Sequence, residues 1–163
     1  MIIRCGSRRI SEIHSVINEA ARAYDGVIPA DCYHEPYMPI DEFRSELERV
    51  TFFGWEEDRR LKGVMGLEPV RDVTLIRHAY VLPGDQKRGI GYKLLDHLKS
   101  MTTTPRLLVG TWATALWAVR FYEKHGFRLM PDKDRLLQEY WDVPARQIET
   151  SVVLGFNLAG GEK

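Results

Sequence analysis

The sequence predicts a mixed α/β fold (α+β), a sheet with helices on its faces, and three observations carry that prediction. Apolar residues recur at helical spacing in some stretches and in short runs of strand character in others, and the two patterns alternate along the chain. The length, 163 residues, falls within the roughly 100–200 of one domain, and 44% hydrophobic with 28% charged residues is a globular balance. No repeat and no Gly/Ser/Pro-rich linker divides the chain, so residues 1–163 read as a single domain.

Ile2-Ile3-Arg4-Cys5 reads as a first strand stopped by Gly6-Ser7. Ile10, Ile13, Val16, Ile17, Ala20 and Tyr24 then recur at helical spacing, closed by Asp25-Gly26. Residues 26–39 carry three prolines and no period, a loop rich in aromatic and polar side chains, after which Phe43, Leu47 and Val50 mark a second short helix. Residues 51–55 and 61–67 flank the charged run 56–60 as a hairpin whose turn is a solvated face. Residues 73–82 form a longer strand ended by Pro83-Gly84, and a helix opens near Gly89 with Ile90, Leu94, Leu95, Leu98 and Met101 on one face. Residues 106–112 read as a buried strand, Leu116, Val119, Phe121 and Tyr122 as a helix ending near Gly126, and 127–130 as a strand. A short helix over 132–142, in a long connection 131–147, precedes a last strand over 149–156.

Lys+Arg and Asp+Glu both total 23, so the net charge is zero, and a nucleic-acid partner, which favours a basic excess, is not expected. The longest uncharged apolar stretch, residues 107–119, has 13 residues, short of the ~18–20 that span a bilayer, so no membrane association is expected. Cys5 and Cys32 lack metal-ligand spacing and are too few for a disulfide scaffold. With no signal-peptide pattern at the start, a cytoplasmic protein without a bound metal is the expectation.

The most informative stretch runs from Tyr80 to Tyr92, where a strand enters a tight loop whose glycines open a helix. The first turn of a helix leaves N–H groups without intrahelical partners, and the aligned peptide dipoles add partial positive charge there. Gly89 and Gly91 clear side chains from the approach of a phosphate, while Lys87 and Arg88 add cations, so the loop suits a pyrophosphate. A Walker A loop would need Gly-Lys-[Ser/Thr], which is absent, and the dinucleotide fingerprint would need a small residue where Leu94 stands.

The remaining pattern, [Gln/Arg]-x-x-Gly-x-[Gly/Ala], matches as Gln86-x-x-Gly89-x-Gly91. Here the chain resembles the GNAT superfamily of N-acetyltransferases, and Phe121-Tyr122-Glu123-Lys124-His125-Gly126-Phe127 resembles that family's helix-to-strand signature. The resemblance implies a mostly antiparallel, splayed sheet of six to seven strands flanked by about four helices. It implies acetyl-CoA as donor, with Val81, Leu82, Gln86, Lys87, Arg88, Gly89, Ile90, Gly91, Phe121 and Tyr122 around it. The backbone N–H of Val81 or Leu82 would polarise the thioester carbonyl, and Tyr122 would be the general acid for the departing sulfur.

The base is less legible. The position of one familiar glutamate falls on Leu75, and His78 lies on the opposite face of the strand unless a bulge intervenes. Glu68, His34 and Glu35 are further candidates, as is a chain of waters. The family's asparagine before the Phe-Tyr pair is replaced by Ala113-Thr114-Ala115, with Thr111 or Thr114 as substitute hydroxyls. For the acceptor, a primary amine of a small molecule or peptide, Tyr33, Glu35 and Tyr37 of the early loop are the candidate contacts. Trp112, Trp117 and Phe121 are either core or acceptor pocket, and the connection 131–147 covers either the acceptor site or a subunit interface, with a homodimer as the default assembly. Two other functions compete with catalysis: a sensor that binds acyl-CoA without turnover, and an interaction domain whose loop binds a phosphorylated partner.

Overall fold

The computed structural model describes residues 1–158, and positions 159–163 of the expected domain lie outside the described residues. Seven strands form one sheet: β1 (Ile2–Arg4), β2 (Thr51–Glu57), β3 (Arg60–Val70), β4 (Val73–Val81), β5 (Arg106–Trp112), β6 (Arg128–Leu129) and β7 (Ser151–Asn157), in the order β1-β2-β3-β4-β5-β7-β6. Every neighbouring pair is antiparallel except β4 and β5. Among the described residues six α-helices accompany it: α1 (Ile10–Ala20), α2 (Ile40–Glu46), α3 (Ile90–Met101), α4 (Leu116–Lys124), α5 (Lys133–Tyr140) and α6 (Ala145–Thr150). The mixed class and the mostly antiparallel sheet are those the sequence predicts, with more helices than the four expected. No helix among the described residues is long and apolar enough to cross a membrane.

Alternation in the strands sorts side chains into two layers. Phe53, Met65, Leu67, Ile76, Leu107 and Val109 face α3 and α4, where Ile90, Leu94, Leu95, Leu98, Val119 and Tyr122 are buried. Phe52 and Val64 face α1 and α2, against Ile13, Ile17 and Phe43, while Leu75, Leu108 and Val153 on that same sheet face pack against Leu136 and Leu137 of α5. Two predicted core positions sit at helix ends and are exposed instead: Met101 closes α3 and Leu116 opens α4.

The hairpin turn is tighter than the charged run implies. Glu57 pairs with Arg60 across the two residues Asp58 and Arg59, both at positive φ (51° and 65°), the geometry of a type I′ turn. Glu56 and Glu57 are therefore strand residues, not solvated turn: Glu56 accepts from Arg9 at 2.8 Å and Glu57 from Arg88 at 2.6 Å. The last strand likewise starts later than predicted, at Ser151, because 145–150 coil into α6 behind Pro144.

Two irregularities shape the centre of the sheet. β4 and β5 pair only from Val73–Arg106 to Ile76–Val109, so β4 beyond Ile76 has a partner on one side only. Within that stretch the register with β3 slips between Val64 and Gly66, leaving Met65 opposite both His78 and Ala79. His78 takes φ 53°, the extra residue of a bulge, which bends and twists the strand.

Candidate active site

Where β4 and β5 part, a cleft of about 1140 Å³ opens. One wall is β4 from Ile76 to Tyr80; the other is β5 from Val109 to Trp112, backed by Tyr122 of α4. His34 and Tyr37 of the early loop and Trp141 and Arg146 of the 131–147 connection line its rim. Arg146 donates to both carboxylate oxygens of Asp31, from Nε at 2.9 Å and Nη2 at 3.0 Å, and this guanidinium holds the Asp31 carboxyl below its ordinary pKa. The long connection thus forms part of the cleft.

The glycine loop follows the C-terminal end of β4 and lies outside the lining of the cleft. Lys87 (φ 63°) and Gly89 (φ 81°) both take the left-handed conformation, and Gly89 caps α3 with no side-chain hydrogen bond. Lys93 is the first residue of that helix whose amide finds a backbone acceptor, the Gly89 carbonyl at 3.0 Å, so among the described residues the amides of Gly89, Ile90, Gly91 and Tyr92 have none. Such a run of inward N–H groups at a helix start is an anion nest. A Cβ on Gly89 would meet nothing within 4 Å, so open space lies beside those amides.

Three of the loop positions serve other ends than the sequence suggests. A Cβ on Gly91 would stand 3.3 Å from the Phe121 ring, so that glycine clears space for α4 to pack. Ile90 is buried in the core, leaving only its amide for a ligand. Arg88 is not a mobile cation: it pairs with Glu57 at 2.6 Å and Asp85 at 2.8 Å, whereas no carboxylate lies within 4.0 Å of Lys87 among the described residues. Gln86 donates from Nε2 to the Val81 carbonyl at 3.3 Å, tying the loop back to β4.

Of the two amides proposed for the thioester carbonyl, Leu82 is already committed, donating to the Lys62 carbonyl at 2.9 Å. An antiparallel ladder alternates the direction of its amides, so the Val81 N–H points away from β3, toward the edge that β5 has left. Leu82 is thereby corrected and Val81 remains.

Tyr122 is 4% exposed, and burial pushes its phenol well above the ordinary range, which keeps the proton on oxygen. His78 comes to the same cleft by way of the bulge. The extra residue turns its ring onto the α2 side, the face of Leu75, where it stacks on Phe52 at 6.1 Å and its Nε2 bonds the Glu46 carboxylate. Neither the Tyr122 hydroxyl nor the His78 Nδ1 has a hydrogen-bond partner among the described residues. Neither belongs to the fully buried atoms without a partner, so both reach the open cleft.

Sequence reasoning misses the ion network beside His78. Arg77 reaches Glu68 at 2.6 Å and Glu46 at 3.3 Å, and Arg49 reaches Glu68 at 3.2 Å. Burial pushes the Glu46 carboxyl up, but the His78 hydrogen bond and the charges of Arg77 and Arg49 outweigh it and hold it below its ordinary pKa. No local pattern marks Glu46, whose helix meets β4 only in three dimensions.

Of the early-loop candidates for acceptor contact, only Tyr37 lines the cleft, where its hydroxyl accepts from Trp112 Nε1 at 2.8 Å. Tyr33 and Glu35 lie outside the lining and satisfy each other, Tyr33 donating to Glu35 at 2.7 Å, a contact that pushes the phenol up to about 12. Trp112 is buried and lines the cleft, Trp117 stacks on Tyr24 outside the lining, and Phe121 packs on Gly91. Thr111 lines the cleft; Thr114 is exposed outside it.

The acetyltransferase (GNAT) domain family matches residues 48–129, the segment holding the hairpin, the glycine loop and the helix-to-strand signature. The chain belongs to this family. A GNAT-family acetyltransferase from Staphylococcus aureus superposes with a TM-score of 0.73 at 19% identity, over 97% of this chain and 98% of that one. The PaiA N-acetyltransferase of Thermoplasma acidophilum, solved with coenzyme A, gives 0.71 at 14% identity, over 97% and 98%. The ribosomal-protein-S18-alanine N-acetyltransferase of Escherichia coli gives 0.69 at 17%, over 100% and 97%. At such identities these likenesses establish the fold.

Proposed function

We propose that the chain is an acetyl-CoA-dependent N-acetyltransferase that acetylates a primary amine of a small molecule or peptide by direct attack within a ternary complex. The observation that carries this reading is the parted β4 edge, where the Val81 amide points away from β3, followed along the chain by the unpaired amides at the start of α3. Acetyl-CoA supplies a thioester-activated acetyl group, and the Thermoplasma relative, solved with coenzyme A, supports this choice of donor.

The residues divide the work. The amides of Gly89, Ile90 and Gly91 with Lys87 hold the pyrophosphate, and the unpaired edge of β4 binds the pantetheine arm as a sheet edge binds an added strand. The Val81 N–H is a fixed donor toward the carbonyl oxygen as charge develops on it, usually the largest catalytic contribution. The acceptor arrives as an ammonium of pKa about 10 and needs a base to free its lone pair. His78 Nδ1 takes that proton; the amine forms the new C–N bond as the C–S bond breaks; Tyr122 gives its proton to the sulfur. The balance is ammonium plus thioester to amide, thiol and one released proton: the second proton shed by the nitrogen as the amide forms restores Tyr122 through the cleft, and the proton on His78 is the one released.

Calorimetry with acetyl-CoA and steady-state rates for Tyr122→Phe test the reading together. Selective acetyl-CoA heat with kcat lowered ~10²–10⁴-fold in the variant and affinity unchanged is expected. Binding without turnover on any amine favours the sensor, and no selective heat favours the phosphate-binding module.

A further inference from the structure

We infer that Glu46 is a positioning residue for the base, fixing the His78 ring so that Nδ1 presents its lone pair to the cleft. The inference rests on the reading of His78 as the proton acceptor. The hydrogen bond from Nε2 to Glu46 assigns the tautomer: a carboxylate accepts only, so Nε2 carries a hydrogen, and in the neutral ring Nδ1 is then the lone-pair nitrogen. Phe52 stacked at 6.1 Å and 18° fixes the plane of the ring, so the two contacts together leave it one orientation.

Glu46 is suited to the task by its surroundings. It is 8% exposed, at the last position of α2, and shares Oε1 between His78 and Arg77. Arg77 is in turn held by Glu68 at 2.6 Å, and Glu68 by Arg49 at 3.2 Å, so the carboxylate facing the ring is itself held in place. When Nδ1 takes the amine proton, the imidazolium forms against a charge already present, and nothing must reorganise to receive it. The proton passes from the acceptor nitrogen to Nδ1, while the Nε2 hydrogen stays in its bond to Glu46.

Nitrogen chemical shifts of the His78 ring, with kcat, KM and acetyl-CoA affinity, test this in the full chain for Glu46→Gln, Glu46→Asp, His78→Gln and the double variant. The parent should show the Nε2–H form. Glu46→Gln, whose amide can also donate to the ring, should populate Nδ1–H and lower kcat ~10–100-fold with acetyl-CoA affinity unchanged. Glu46→Asp should recover part of the rate, and Glu46→Gln should cost nothing further once His78 is Gln. A parent ring protonated on Nδ1, or additive losses in the double variant, overturns the role of Glu46 while an inactive His78→Gln leaves the base standing. Full activity in His78→Gln overturns the base itself and the inference with it. If Glu46→Gln does not fold, the Glu46→Asp spectra and rates decide alone: an unaltered Nε2–H signal with an unaltered kcat sinks the inference.

Discussion

Gly89 holds φ 81°, a conformation that costs an L residue about 1–2 kcal/mol. Gly89→Ala is therefore expected to lose about that much stability and, because its Cβ would enter the space beside the unpaired amides, to weaken acetyl-CoA at least ~10-fold. Gly84→Ala, with open space and ordinary φ, is the control and should leave calorimetric affinity unchanged. Glu46 makes a second prediction. Its folded pKa lies below the unfolded value of about 4.3, so its contribution is full above that value and is lost as pH falls through the lower folded one. Glu46→Gln should then flatten the acid limb of a thermal-stability profile below about pH 4, and an identical limb would contradict it. At this scale the local motif marks where the loop ties back to β4 at Gln86 and where Gly89 opens α3. It cannot tell that Arg88 is consumed by Glu57, because that partner comes from the neighbouring hairpin.

Elements carry the cleft. α5 is anchored on the sheet by Leu136 and Leu137 against Leu108 and Val153, all buried, and α6 follows it to the rim. Leu136→Ala should cost about 2–5 kcal/mol, read as a lower denaturant midpoint at unchanged slope. Arg146→Ala removes the clasp to Asp31 from an exposed site; the melting temperature should barely move, while KM for the amine rises several-fold and acetyl-CoA affinity holds. An unchanged KM would mean the clasp does not shape the acceptor site. The strands and most helices are legible from period alone, to within a few residues. α6 is not, because six residues give too little periodicity to separate a helical turn from a strand.

Over the whole molecule the formal charge is zero, yet the cleft lining holds six carboxylates against three guanidinium groups. A cationic amine should therefore enter with electrostatic help, and kcat/KM for such an acceptor should fall as salt rises from about 0.05 to 0.5 M. An anionic amine should show the opposite trend; a flat response for both would mean the paired charges cancel.

The sequence by itself determined the order of the strands and of the helices other than α6, and the glycine loop, because period, turn chemistry and motif are local properties. Only the tertiary structure decided which groups face the open edge. A single extra residue at His78 reverses the facing of a side chain, and the direction of the Val81 and Leu82 amides depends on the register with β3. The partners of His78 and Arg77 come from α2 and β3, elements brought together by the burial of Phe43 and Phe52 rather than by any spacing along the chain.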